Sequence, residues 1–246
     1  MKRLSWKLLL ALFLIILSVF VYIIHYAIFR DPHHIFIYMV GDLAFVPIEV
    51  LLVTLIIERL LKEREKRALL NKLNMIIGTF FSEVGTRLLR DFASFSNNSA
   101  EISEHLIVTN EWSEKHFRAA MDFVSGVDPV IDTQKGNLKD LRDFLLGKKF
   151  FMLSLMENPN LLEHESFTDL LLAVFHLSEE LAARDTLEGL PQSDYEHLAG
   201  DIKRAYTLLI REWLAYMMHL KDNYPYLFSL VIRTNPLDAD ASPVVT

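Results

Sequence analysis

Two long apolar segments near the N-terminus restrict the fold of this chain more than any other feature. Leu8 to Phe29 contains no charged residue apart from His25, which can be neutral, and residues 35–57 form a second apolar run. A helix of about 20 apolar residues crosses the roughly 30 Å hydrocarbon core of a bilayer. The sequence therefore predicts a transmembrane helical hairpin over residues 8–57, with spans at about 8–29 and 35–57.

Basic residues around the two runs predict the orientation of the hairpin. Residues 1–7 carry Lys2, Arg3 and Lys7, and six further Lys/Arg residues lie between positions 59 and 72, whereas the segment between the runs has only Arg30. Because cytoplasmic flanks are enriched in Lys and Arg, both termini of a multi-pass cell-membrane protein are expected in the cytoplasm. A cleaved signal peptide is the alternative, but no A-x-A-like cleavage site follows the first run.

The net charge of the chain after the hairpin indicates which class of macromolecule is not expected as a partner. Residues 1–72 hold ten Lys/Arg against six Asp/Glu, so the net charge of −7 for the whole chain leaves −11 on residues 73–246. Phosphate backbones repel an acidic domain, and nucleic acid is therefore not expected as a partner. The chain has no cysteine, which excludes a zinc–thiolate site and cysteine catalysis.

Apolar periodicity predicts an all-α domain after the hairpin. Apolar residues between Leu69 and Leu88 recur with the spacing of one helix face, and clusters of Gly, Pro, Asn and Ser separate the later segments. Helices are predicted near 58–95, 101–124, 138–157, 167–184, 194–222 and 225–232. The corresponding parts are a juxtamembrane and first cytoplasmic helix at 58–95, a helical-bundle domain at 96–234 and a disordered tail at 235–246.

Small residues form a narrow stripe on the first cytoplasmic helix. Gly78, Ser82 and Gly85 are three or four residues apart and share one helix face. Such a stripe permits the close approach of another helix. It is either a seam for self-association or a surface that packs inside the same domain.

Catalytic motifs are not apparent in the sequence. It has no phosphate-binding glycine loop, no G-x-S-x-G and no H-E-x-x-H, so no catalytic residue or cofactor is predicted and the chain is not expected to be an enzyme. Helix-spaced histidines and carboxylates are weak candidates for metal ligands: His176, Glu179, Glu180, Asp194, His197 and Asp201. Their order differs from the Glu-x-x-His pairs of di-metal bundles, so a solvated helix surface is the favoured interpretation.

Two carboxylates interrupt the second span. Asp42 and Glu49 are seven residues apart, nearly two helical turns, and therefore share one face. In an antiparallel hairpin Asp42 lies level with about His25 and Glu49 with about Ser18. Pro47 removes one backbone donor nearby. Since a charge at the centre of a bilayer costs on the order of 2.5–3.5 kcal/mol, this polar stripe is a functional hypothesis.

Three functions remain open from the sequence. In the first, the polar stripe holds hairpins together in a homo-oligomer, and the cytoplasmic domain serves as a scaffold or signalling module for a cytoplasmic protein partner. In the second, Asp42 and Glu49 line a cation or proton channel. In the third, the cytoplasmic domain is a membrane-anchored, metal-dependent enzyme. The lipid bilayer is a partner in all three.

Overall fold

The chain folds into helices in two compact units. A computed structural model describes residues 6–161 and 164–244, without the side chains of Arg67, Ala68 and Asn71, and the units are Met1–Lys66 and Arg67–Thr246. Its α-helices are α1 (Trp6–Phe29), α2 (Pro32–Phe80), α3 (Thr86–Phe95), α4 (Ser99–Glu104), α5 (Glu114–Gly126), α6 (Leu138–Gly147), α7 (Lys149–Met156), α8 (Glu165–Ala182), α9 (Gln192–Asn223) and α10 (Pro225–Arg233). The predicted all-α architecture is confirmed, with no β-strand in the described residues. Lys2 and Arg3 lie outside them.

A short turn joins α1 to α2 within the first unit. Arg30 has a positive φ of 49°, which ends α1, and Pro32 begins α2 at the position where its missing N–H is not needed. The carboxylate of Asp31 accepts hydrogen bonds from the backbone N–H groups of His33 at 2.9 Å and His34 at 3.3 Å. The R-D-P sequence thus supplies both the turn and the N-cap.

Both helices of the first unit expose their apolar side chains. Each is long and apolar enough to cross a membrane, and the most apolar window of each contains no buried residue. A soluble protein rarely leaves so much contiguous apolar surface uncovered. The first unit thus has the length and surface of a pair of membrane helices.

The core of the second unit lies around α9. This 32-residue helix packs against α8, α5, α10 and α3. Trp213 and Tyr206, the two largest fully buried side chains described, both come from α9. Buried residues recur along it with helical spacing: Leu198, Ile202, Ala205, Leu209, Trp213, Met217 and Leu220. One continuous apolar face of α9 therefore holds the surrounding helices together.

Three predicted helices are divided in the structure. The segment 58–95 contains the end of α2, a π-helical turn at Phe81–Gly85 and then α3. The segment 101–124 is divided into α4 and α5, because the backbone N–H of Ser113 donates to His116 Nδ1 at 2.9 Å and starts a new helix. The segment 138–157 is divided at Lys148, whose ψ of 1° is not helical. The breaks thus have different local causes: a π-helical turn, a capping box at Ser113 and a non-helical residue at Lys148.

The described part of the C-terminal tail is packed, so the prediction of disorder from residue 235 is wrong for its first residues. Asn235 is 2% exposed and Leu237 is 6% exposed. The Asn235 side chain donates to the backbone oxygen of Leu106 at 3.1 Å and accepts from the N–H of Leu237 at 3.0 Å. These contacts join residues far apart in sequence, which explains why local composition did not reveal them.

Candidate functional site

Ser18, His25 and Asp42 of the predicted polar stripe lie together in the first unit. They line a groove of about 570 Å³ between α1 and α2, which Tyr22 and Tyr38 also line. The groove is mainly apolar, and these residues supply its polar groups. The structure thus brings polar side chains of the two apolar helices to one place.

His25 is one of two half-buried residues that line this groove. Its Nδ1 atom is buried and has no hydrogen-bond partner in the described residues. Its ring stacks on His34, with centroids 6.1 Å apart and planes inclined by 9°, and it also contacts Phe29. Aromatic neighbours hold the imidazole in place, and one ring nitrogen is left without a protein partner.

The structure lacks the two pairs expected for the polar stripe. Within the described residues, no hydrogen bond or ion pair joins Asp42 to His25 or Glu49 to Ser18. Glu49 is exposed and does not line the groove. Pro47 lies inside α2, which continues through it. The structure therefore leaves both carboxylates of the stripe without an intramolecular partner in the part of the chain it describes.

The small-residue stripe has aromatic neighbours from the same unit. A Cβ atom on Gly78 would lie 3.0 Å from Tyr216 Oη, and one on Gly85 would lie 2.6 Å from the Phe81 ring. Ser82 is exposed. The Phe81 and Tyr216 rings themselves stack with centroids 5.2 Å apart. Internal packing therefore accounts for both glycines of the stripe.

A groove in the second unit is lined in part by Gly78 and Ser82 of the small-residue stripe. It has a volume of about 460 Å³ and is lined by residues from α2, α9 and α10, including His219 and Asn74. The Asn74 side-chain nitrogen lies 3.0 Å from His219 Nδ1. Burial lowers the pKa of His219, and nearby Asp222 acts in the opposite direction. This groove therefore favours the neutral imidazole.

Two of the carboxylates predicted as metal ligands are engaged elsewhere. Glu179 accepts from Lys149 Nζ at 2.7 Å. Asp194 forms a two-point ion pair with Arg184, with distances of 2.8 Å and 2.6 Å. This pair holds the pKa of Asp194 below its ordinary value. Asp194 and Glu179 therefore serve as partners of basic side chains.

The other candidates meet where α8 packs against α9. His176 and Glu180 lie four residues apart on α8, and His197 and Asp201 lie four residues apart on α9. Asp201 Oδ2 is 3.5 Å from His176 Nε2 and 3.4 Å from His197 Nε2. Ligand atoms of Glu180, His197 and Asp201 all lie within 4.8 Å of one another. We call these four side chains the histidine–carboxylate cluster.

Two arginines border the histidine–carboxylate cluster: Arg184, which follows the end of α8, and Arg204 on α9. Arg184 Nη1 donates to Glu180 Oε2 at 2.9 Å, and this bond lowers the pKa of Glu180. Its pairs with Asp194 and Glu180 raise the pKa of Arg184 itself. Arg204 donates to Asp201 Oδ1 at 3.2 Å. The arginines therefore bind one oxygen of each cluster carboxylate and leave the other oxygen of Asp201 facing the histidines.

The sequence offered spacings of both three and four residues among these candidates. The structure brings together the pairs four residues apart, His-x-x-x-Glu on α8 and His-x-x-x-Asp on α9. The signal was present as the same four-residue spacing on two consecutive helices. Sequence reasoning missed Arg184, which lies four residues after Glu180 and also pairs with Asp194 at the start of α9.

Comparisons with known proteins give matches over nearly the whole chain. Residues 2–61 match the family model described as "MJ1433, N-terminal helical domain", and residues 69–233 match "Uncharacterized protein MJ1433, C-terminal helical domain". The chain is 50% identical over 233 residues to "Uncharacterized protein MJ1433" of Methanocaldococcus jannaschii, covering 95% of this chain and 94% of that protein. No solved structure matches the chain.

Proposed function

We propose that this chain, which belongs to the family of the helical protein MJ1433, is a two-span membrane protein. Its hairpin self-associates and carries an acidic helical domain in the cytoplasm. The domain serves as a scaffold or signalling module. The single observation that carries this proposal is the uncovered apolar surface of the hairpin, which contains two carboxylates without partners in the described residues.

A bilayer is the environment that suits the surface of the first unit. Residues of α1 and of the apolar part of α2 are helical and so form their backbone hydrogen bonds within the helices, as hydrocarbon requires, except that Pro47 has no N–H to donate to the carbonyl of Leu43. Their apolar side chains point outward along both helices. In water this surface would drive aggregation, whereas in lipid it faces acyl chains. Insertion of both helices is therefore proposed.

The positive-inside rule orients the proposed hairpin. A reporter fused at the C-terminus is expected to lie in the cytoplasm, and a tag inserted between Asp31 and His34 is expected to react with an impermeant label from outside the cell. The reason is the concentration of Lys and Arg at residues 2–7 and 59–72 against a single Arg30 in the turn. Labelling intact cells and lysed cells in parallel gives the measurement. A C-terminal reporter reached from outside would overturn this orientation.

Self-association follows from the two unpartnered carboxylates. Asp42 lines the groove of the hairpin, while Glu49 is exposed on α2, where lipid would surround it in a single hairpin. A carboxylate within a bilayer is costly unless it is protonated, hydrogen-bonded or in contact with water. A second copy offers polar groups of the same stripe at the same depth. An oligomer therefore removes Glu49 from lipid.

Substitution of Glu49 tests this role. Glu49→Leu is expected to weaken association of the full chain in detergent by about 0.6–2 kcal/mol, the range for interhelical hydrogen bonds in membranes. Glu49→Gln keeps the size and the hydrogen-bonding groups, so it is expected to associate almost as the wild type does. Sedimentation equilibrium in density-matched detergent measures both.

Leu51→Val provides the matched control, because Leu51 lies on a different face of α2 from Glu49. It is expected to leave association unchanged. Equal association of wild type and Glu49→Leu would contradict the role of Glu49 in assembly. If the wild type instead carries a cation flux in reconstituted vesicles and Glu49→Gln abolishes this flux, a conducting path lined by the same stripe is favoured.

A further inference from the structure

The histidine–carboxylate cluster lies apart from the proposed membrane function and offers a separate chemistry. Each helix contributes one imidazole and one carboxylate four residues apart, a spacing that puts both on one face. The faces of α8 and α9 meet, so the four side chains converge. His176 and His197 are about half exposed, at 46% and 52%, which leaves an approach from solvent.

Three distances within the histidine–carboxylate cluster match the edges of a metal coordination tetrahedron. For bonds of 2.0–2.2 Å to nitrogen and oxygen, tetrahedral ligand atoms lie about 3.3–3.6 Å apart. Asp201 Oδ2 is 3.5 Å from His176 Nε2 and 3.4 Å from His197 Nε2, and Glu180 Oε2 is 3.5 Å from His197 Nε2. His176 Nε2 lies 3.8 Å from the other Glu180 oxygen, Oε1, and His176 does not belong to the group whose ligand atoms all lie within 4.8 Å of one another.

Asp201 supplies an independent indication that this cluster binds a cation. Its side chain is only 4% exposed, and its Oδ2 atom is buried with no hydrogen-bond partner in the described residues. Arg204 engages the other oxygen, Oδ1. Buried polar atoms are normally paired, and an exception requires an explanation such as an unseen ion. The unpaired oxygen faces the two imidazoles, which places the expected cation among the four side chains.

Both imidazoles keep the nitrogen that a metal would need. Neither His176 nor His197 forms an aligned hydrogen bond in the described residues, although their Nε2 atoms approach the carboxylates. Arg184 holds Glu180 through Oε2 and so restrains the orientation of this carboxylate. An arginine on a carboxylate is a common way to orient a metal ligand from outside the coordination sphere.

We propose that Glu180, His197 and Asp201 bind one divalent first-row transition-metal ion that links α8 to α9. Imidazole and carboxylate ligands suit zinc and related ions, whereas magnesium prefers oxygen ligands and retained water. Glu180 comes from α8 and the other two ligands from α9, and three protein ligands leave the fourth tetrahedral position to water. The ion therefore acts as a clamp between two core helices.

Zinc binding by the full chain in detergent tests this site. Protein stripped with a chelator and dialysed against Zn²⁺ is expected to retain one zinc per chain and to melt at a higher temperature, with reversal by chelator. Asp201→Asn keeps the side-chain shape but weakens a ligand, and His197→Gln removes an imidazole from a half-exposed position. Each is expected to lower zinc affinity more than about tenfold, since even outer partners of metal ligands contribute 10- to 100-fold.

Controls separate the cluster from general carboxylate and histidine effects. Glu179→Gln alters the neighbouring carboxylate, which pairs with Lys149, and His105→Gln alters a histidine on another segment. Both are expected to retain wild-type zinc content. If Asp201→Asn does not fold, His197→Gln carries the comparison, because its side chain is more exposed.

Three results would overturn the proposal. Wild-type protein with no more zinc than Asp201→Asn and His197→Gln would show that the cluster does not hold the ion. Equal loss of zinc in Glu179→Gln would place binding elsewhere on the surface. Equal affinity for Mg²⁺ and Zn²⁺ would exclude the imidazoles as ligands.

Discussion

Trp213→Ala is expected to lower the free energy of unfolding of the second unit by about 3–5 kcal/mol, the usual cost of removing a large aromatic side chain from a core. Trp213 is 1% exposed and lies on α9, against which α8, α5, α10 and α3 pack. Domains are stable by only about 5–15 kcal/mol, so this loss is a large share of the unit's stability. Denaturant titration of the full chain in detergent, followed by near-ultraviolet circular dichroism, measures the loss.

Phe150→Ala is the matched control for this substitution. Phe150 is an aromatic residue of the same unit but is 87% exposed. Its removal is expected to change stability by less than about 0.5 kcal/mol. If Trp213→Ala and Phe150→Ala had the same effect, α9 would not be the centre of the core.

Gly136→Ala is expected to destabilise the second unit by about 1–3 kcal/mol, the cost of forcing extra volume into a packed site. A Cβ atom at position 136 would lie 2.4 Å from the Phe95 ring. Phe95 is 1% exposed, so the ring has little room to move. Gly136 lies outside the helices, and alanine therefore brings no compensating gain in helix propensity. The same denaturant titration measures the change.

Gly200→Ala provides the opposite case. Gly200 lies within α9, and no atom lies within 4 Å of the position that its Cβ would occupy. Alanine is expected to stabilise the helix by about 0.5–1 kcal/mol. If both substitutions were neutral, the close approach of residues 95 and 136 would not exist in solution.

The hairpin was the part of the fold most accessible from sequence. Long apolar runs and the Arg30–Asp31–Pro32 turn are local signals, and the structure places two long helices around that turn. Helix breaks inside the domain were harder, because Ser113 and Lys148 interrupt segments whose apolar spacing continues. Local periodicity indicates which residues face a core but not where one helix ends and the next begins.

The candidate sites depended on contacts that sequence does not reveal. The four-residue spacing of His176 with Glu180 was visible, but its meeting with His197 and Asp201 required the α8–α9 packing. The burial of Leu237 required a contact between the tail and Leu106 through Asn235. Each of these joins segments separated along the chain, and no local pattern encodes the partner.

The small-residue stripe is another feature whose packing partner could not be identified from the sequence. Gly78, Ser82 and Gly85 share a face, which predicted close approach of another helix. Tyr216 of α9 lies beside Gly78, whereas the neighbours of Gly85 are Phe80 and Phe81 from its own segment. Small residues indicate where space is available, but only the fold determines which side chain fills it.

The mass of the full chain in detergent tests self-association of the hairpin most directly. Sedimentation equilibrium in density-matched micelles gives the number of chains per particle over a range of protein-to-detergent ratios. The account predicts a particle of two or more chains that persists on dilution and weakens in Glu49→Leu, because the stripe of Asp42 and Glu49 has no partner within one described hairpin. A particle containing one chain at every ratio would contradict it.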